Sequence, residues 1–356
     1  MKDLNDAAKE NRAVALAAVT GNGAEVFPSH AQEQAVESRK AQAAELDSKA
    51  PHIGDFITKS VELMKARANK EAKPIPLPWN NVAAALGGGL WPGLHVLTGA
   101  TGQGKTQLAL QVAWAAAKAG VPVLYIGLEL GELDISARLL ALAEGENGQV
   151  TPKWSDLYLG KAGAAEIDRL AGAHLKTLQE MPFRAEFGPP MGWKSTNLHD
   201  RVGAMRAEFP ESTPGMVPML VVLDYLQAIG GEEDLRERIG KAAYAGRAVA
   251  RDFGAAVLML SSVSRENAKK AKLGTSSDDT NPDTTNPSEL VGMGKESGEI
   301  EYAADSVMAL VSGDWDERSK ETPMHLAVAK VRAGRPSWCA LDFNGSTFRE
   351  GLTRGG

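Results

Sequence analysis

The chain holds a single cysteine, Cys339, in 356 residues. One thiol can neither close an intrachain disulfide nor found a thiolate metal cluster, which excludes a disulfide-stapled or zinc-finger framework. Cys339 reads instead as a small apolar packing residue. Long apolar runs are missing too. No stretch reaches the ~18–20 residues that span a bilayer, and Met1 to Asp6 lacks the apolar core of a secretory signal, so a cytoplasmic protein with no membrane partner is expected. Positive charge is scarce. With 39 Lys and Arg against 45 Asp and Glu, the net charge of -6 argues against a protein that coats DNA with a basic surface. A narrow, locally positive channel remains compatible with it. Hydrophobic residues, at 43%, suffice for a sizeable core. The length fits about two domains, or one large α/β domain with an extension.

Composition shifts along the chain. Residues 1–50 are rich in Ala, Glu, Gln and Lys without a sustained apolar stripe, and are expected to form a mobile extension with no core of its own. Within 51–78, Ile53, Phe56, Ile57, Val61 and Met64 recur near a 3.6 period and predict an amphipathic helix. Pro74, Pro76 and Pro78 then stop it and stiffen a connector. That helix must bury its stripe on its own core domain or on a neighbouring subunit.

The third segment, 79–356, alternates short apolar strands with helices. Strands are predicted over Leu94–Thr98, Val121–Ile126, Met219–Leu223, Ala255–Leu260, Ser306–Val311 and His325–Val331, with a buried helix over Thr106–Ala119. This pattern indicates an α/β domain with a mainly parallel sheet covered on both faces. Arg265–Ser297, rich in Lys, Ser, Thr, Asp, Asn and Pro, reads as one long mobile loop.

Gly99-Ala100-Thr101-Gly102-Gln103-Gly104-Lys105-Thr106, followed by Gln107, fits the phosphate-loop pattern at every fixed position, and it follows an apolar strand and opens a helix. Glycines let backbone N–H groups turn inward around phosphate oxygens at a helix N-terminus. Lys105 would neutralise the β- and γ-phosphates of ATP and Thr106 would bind Mg2+. Leu220 to Leu223 is an apolar strand ending in Asp224, an acid suited to hold Mg2+ directly or through water. Glu129 lies just past the second strand, beyond the carboxyl end where ligands of open α/β sheets sit. From position alone it is either a base for an attacking water or a surface, helix-capping acid.

With these pieces in order, 94–349 resembles the RecA-like motor domain of DnaB-type replicative hexameric helicases. The resemblance rests on Gly127-Leu128-Glu129-Leu130, Asp224-Tyr225-Leu226-Gln227, Leu260 to Arg265, Glu296 to Glu301 with Ala304-Asp305, Lys330 to Gly334, and Phe343-Asn344-Gly345 as the closing strand. It implies a RecA-like P-loop NTPase fold, with Glu129 as general base, and Lys330 and Arg332 reaching the ATP of the next subunit, Arg332 as the finger. It also implies DNA contact through Lys295, Glu296 and Gly298, with Arg236 and Arg238 after the Asp224 strand. Lys269, Lys270 and Lys272 read equally as a solvated loop. The implied partners are single-stranded DNA, other copies in a hexamer, and a loader or initiator protein. The helix from Ile53 resembles the family's linker helix, which docks on the adjacent subunit. Two departures stand out: the family's N-terminal helical collar has no room in 1–50, and Ser262 stands where the family has a Gln that links nucleotide to DNA loop. An ATPase that assembles on DNA or protein without unwinding is the alternative.

Overall fold

A computed structural model describes residues 37–42, 45, 50, 53–146, 152–188, 192–210, 215–263, 267, 272, 281–282, 284–294, 297–314, 318 and 321–351. Most of the N-terminal extension therefore lies outside the described residues. The chain divides into two units, Met1–Glu62 and Leu63–Gly356. Helix α1 (Ile53–Ala68) runs through the division. Its predicted stripe is exposed, with Ile53 at 65% and Met64 at 63%. The proline connector is packed into the second unit, where Ile75 is buried and exchanges N–H···O bonds with Leu90 at 2.9 and 3.1 Å.

The second unit is built on one sheet in the order β3-β2-β4-β5-β1-β6-β7-β8-β9. Its strands are β1 (Gly93–Gly99), β2 (Val123–Gly127), β3 (Phe183–Phe187), β4 (Leu220–Asp224), β5 (Ala256–Ser262), β6 (Ser306–Ser312), β7 (Thr322–Val331), β8 (Ser337–Phe343) and β9 (Phe348–Glu350). From β3 to β6 the pairing is parallel; β7, β8 and β9 add an antiparallel meander. β1, β2 and β4 are buried throughout because helices cover both faces. Alternation along each strand feeds two cores: Leu220 and Val222 face one, Val221 and Leu223 the other.

The first core receives α2 (Asn80–Ala85) and α3 (Lys105–Lys118). Alanines 109, 113, 116 and 117 of α3 are buried, which lets the helix lie close on the sheet. It ends in left-handed Gly120, with Gly120 N–H on Ala117 O (2.9 Å) and Val121 N–H on Ala116 O (3.0 Å), the double bond pattern of a glycine stop. Buried Gln111 of α3 exchanges two bonds with the Phe348 backbone (2.7 and 2.8 Å). An apolar replacement would orphan the Phe348 N–H, at roughly 1–3 kcal/mol, while the Phe348 carbonyl would keep its bond from Trp79 Nε1 at 3.1 Å. The helices α4 (Glu132–Glu146), α5 (Trp154–Tyr158) and α6 (Ala164–Glu180) separate β2 from β3. The second core is covered by α7 (Asn197–Glu208), α8 (Leu235–Asp252) and α9 (Ser297–Ala303). Among the described residues no helix is long and apolar enough to cross a membrane.

Three expectations need correction. The segment 265–297 is not one loop: Pro287–Met293 forms a 3-10 helix capped by Asn286, and Leu290 and Met293, three apart and eclipsed on such a turn, are buried against β6 and β7. Phe343-Asn344-Gly345 is not a strand: Phe343 ends β8, and Gly345 at φ 95° turns the chain into β9. Sequence reading also missed β3, β8 and β9. β3 (Phe-Arg-Ala-Glu-Phe) is a half-exposed edge without an apolar run, the apolar run of β8 is only four residues (Trp338 to Leu341), and β9 is three residues long with two of them charged.

Candidate active site

Register sets the site. In the parallel sheet Gly127 stands beside Asp224 and Gly99 beside Ser262, so four strand ends open on one edge. The phosphate loop leaves β1 at Gly99 and turns through Gly102 (φ 80°) and Gly104 (φ 89°), a left-handed backbone that favours glycine. Lys105 Nζ donates to the carbonyls of Gly99 and Ala100, both at 2.9 Å. Gln103 closes the loop from inside, its Oε1 accepting from Ala100 N–H (2.6 Å) and its Nε2 donating to Ser312 Oγ (2.9 Å).

Thr101, Lys105, Thr106, Glu129, Asp224 and Ser262 all line one cleft of about 350 Å³. Asp224 is buried; Tyr125 donates its hydroxyl to Asp224 Oδ2 at 2.6 Å, and the Thr106 hydroxyl is also bonded to it. Burial lifts the Asp224 carboxyl above its usual range, although those bonds and the Lys105 and Arg138 charges pull it back. Burial, then the Asp224 charge, lifts Glu129, with Lys105 opposing. Burial lowers the Lys105 amine, which both carboxylates push back up. A cleft that raises two carboxylates suits a divalent cation, whose charge reverses that cost. Among the described residues no group of three His, Cys, Asp or Glu could hold a metal. The donor set is one hydroxyl and one carboxylate, hard oxygens that fit Mg2+ completed by phosphates and water.

The other candidates lie elsewhere. β7 runs against β6, and Ser306 pairs both with His95 and with Val331, so β7 ends at the amino edge of β1. Lys330 is in β7; Arg332 lies just past it, 52% exposed at its side chain, with Nε 3.0 Å from Asp305 Oδ1. Neither lines the cleft with Lys105. Arg236 is exposed in the first turn of α8, and a Cβ on Gly298 would lie 3.9 Å from its guanidinium, so these two sit together. Arg238 is half-buried, donating to Ile229 O at 2.7 Å. Lys295, Glu296, Lys269 and Lys270 lie outside the described residues; Lys272 is exposed. Gln107 uses its side chain internally, donating to Ser346 O (2.6 Å) and accepting from Arg138 (3.2 Å).

Sequence reading missed Tyr125, Arg138 and Trp154. The Arg138 guanidinium lies 3.6 Å from the Trp154 ring centre on the wall of the cleft. The only signal for Tyr125 was an aromatic two residues before the strand end, on the opposite pleat from Ile126.

The model of the DnaB-like helicase C-terminal domain matches residues 80–350. The chain belongs to that family. Solved structures with the same fold include an ATPase domain at 16% identity and TM-score 0.66, covering 84% of this chain and 98% of that one. Another is a DnaB-like replicative helicase described with its interactions with primase, at 14% identity and TM-score 0.61, covering 87% and 73%. No curated protein matches the sequence. As a DnaB-like domain with a phosphate loop, the chain is a RecA-like P-loop NTPase.

Proposed function

We propose that the chain is an ATP-driven, Mg2+-dependent translocase or helicase, assembled as a cytoplasmic homohexamer around single-stranded DNA. One observation carries this reading. Lys105, Thr106, Asp224 and Glu129 share a cleft, while Arg332 stands at the opposite edge of the same sheet. Arg332 does not line the cleft of its own copy, so it can complete one only in a neighbour.

Bound MgATP supplies the γ-phosphoryl group. Lys105 holds its charge, Thr106 and Asp224 hold the metal, and Glu129 orients or deprotonates the attacking water. The backbone of Gly99 to Gln107 cradles the phosphates. Arg332 and Lys330 of a neighbouring copy meet the charge that develops in transfer. Arg236, Arg238 and Lys295, with the backbone N–H groups of Glu296 and Gly298, track DNA phosphates without reading bases, and the exposed stripe of α1 docks on the next copy. A loader or initiator protein places the ring on DNA.

ATPase rate with and without single-stranded DNA, followed by strand displacement on a forked duplex, tests the proposal; stimulation and displacement are both expected. Ser262, at the end of β5 and lining the cleft, favours one second reading. A serine reaches less far than glutamine toward a DNA loop, so stimulation without displacement would select an ATPase that assembles without unwinding. A protein that stays monomeric at high concentration with Mg2+ and a non-hydrolysable triphosphate would overturn both.

A further inference from the structure

Arg332 is fixed by backbone on both sides. Before the β7–β8 turn, Arg332 N–H donates to Asp305 O at 3.0 Å and its Nε lies 3.0 Å from Asp305 Oδ1, while Asp305 Oδ2 accepts from Leu94 N–H at 2.8 Å. Beyond it, Arg335 N–H donates to Ala85 O, the last carbonyl of α2, at 3.0 Å. Between these anchors two main chains touch without side chains. A Cβ on Gly334 would lie 2.1 Å from Ala85 O; a Cβ on Gly87, just after α2, would lie 2.0 Å from Ala333 O. Both gaps are far below any contact a carbon atom tolerates, and both obstacles are backbone.

The wall behind the turn is itself held. The first N–H groups of α2, from Asn80 and Asn81, donate to the Glu350 carboxylate at 3.1 and 2.8 Å. Trp79 donates to Phe348 O at 3.1 Å, the same residue that Gln111 of the phosphate-loop helix grips. The turn therefore rests on an element tied to the nucleotide-side helix, and cannot give way by sliding α2.

We infer that Gly87 and Gly334 are positioning residues for Arg332: their missing side chains let the exit of α2 clamp the β7–β8 turn and aim the guanidinium out of its own subunit. This rests on the proposed action of Arg332 on a neighbouring site. Gly88 provides the contrast. It also has a positive φ (106°), but a Cβ there would meet only Pro74 Cγ, at 3.8 Å.

The test compares Gly334→Ala, Gly87→Ala, Gly88→Ala and Arg332→Ala by melting temperature, affinity for fluorescent ADP, turnover, and turnover when mixed with Glu129→Gln subunits. Gly334→Ala should keep ADP affinity within about twofold and lower kcat by ~10²-fold, the size of effect a 1 Å misplacement produces. Mixing should restore turnover, because the Glu129→Gln subunit brings an undisturbed finger to an intact site. Gly88→Ala, strained by its φ of 106° but clear of the β7–β8 turn, should lower the melting temperature while keeping turnover and ADP affinity close to the parent. Gly87→Ala strikes the same turn from the other wall and carries the test if Gly334→Ala does not fold. Normal turnover in both variants, or a loss that mixing repairs for Arg332→Ala but not for the folded glycine variants, overturns the inference. Full turnover in Arg332→Ala overturns the underlying reading instead.

Discussion

The two edges of the sheet treat charge differently. At the carboxyl edge, Asp224, Glu129 and Lys105 crowd into a cleft where burial raises both acids and lowers the base. At the amino edge, Asp305 gives one oxygen to the Leu94 N–H and the other to Arg332, and buried His95 is bonded by Ser306 Oγ and Trp91 O, each at 2.8 Å. The first edge is arranged so that an incoming cation and phosphates lower its energy. The second is settled by its own bonds and serves as a rigid mount. Chemistry gathers where parallel strands end and helix N-termini point; mechanical support gathers where they begin.

Breaking the mount's exposed tip should give the largest effect. Arg332→Ala is expected to cut turnover by ~10³–10⁵ with nucleotide affinity kept, and recovery on mixing with Glu129→Gln subunits measures action in trans. At the opposite edge, Lys105→Ala should cost ~10²–10³ in turnover together with nucleotide affinity, as loss of a preorganised cation does; near-normal hydrolysis would refute the site. Tyr125→Phe removes one bond to the Asp224 carboxylate. At roughly 1.5 kcal/mol for a hydrogen bond to a charge, activity should fall by about tenfold and the Mg2+ requirement rise, read in a metal titration.

Two pH experiments sharpen the contrast. Glu129 must be ionised to act as base, and its carboxyl is raised in the free cleft, so kcat/KM, which reports the free enzyme, should fall on the acid side at a pH above the ordinary glutamate value of about 4.3. Glu129→Gln should remove the activity and with it that limb. Burial lowers the imidazole of His95, so its neutral form belongs to the fold. A depressed pKa means the unfolded chain takes up the proton first; the contribution is intact above about pH 6.5 and is lost as pH falls through and below it. Melting temperature should drop between pH 7 and 5, and His95→Gln should flatten that slope, by at most ~1.4 kcal/mol per pH unit. An unchanged slope would show that other groups govern acid stability.

Much of the carboxyl edge was legible in the sequence. Phosphate loops are local: strand, glycines, lysine and helix lie within one short run, so Gly99 to Thr106 could be read without a fold. The acid at Asp224 was legible because a buried strand ending in a carboxylate is a local pattern. Tyr125, Arg138 and Trp154 were not, because each meets its partner across the chain. The 3-10 helix at Pro287–Met293 was hidden by the polar composition around it, in which Leu290 and Met293 are buried and Val291 packs beside them.

The sequence by itself determined the six strands β1, β2, β4, β5, β6 and β7, the mainly parallel sheet and the phosphate-loop motif, since periodicity, turn residues and motif spacing are short-range properties. Only the tertiary structure decided that Arg332 lies at the opposite edge of the sheet from its own cleft, that Tyr125 holds Asp224, and that Gly87 faces the Ala333 backbone while Gly334 faces the Ala85 backbone. Those facts depend on strand order and direction, which bring together residues that no local signal relates.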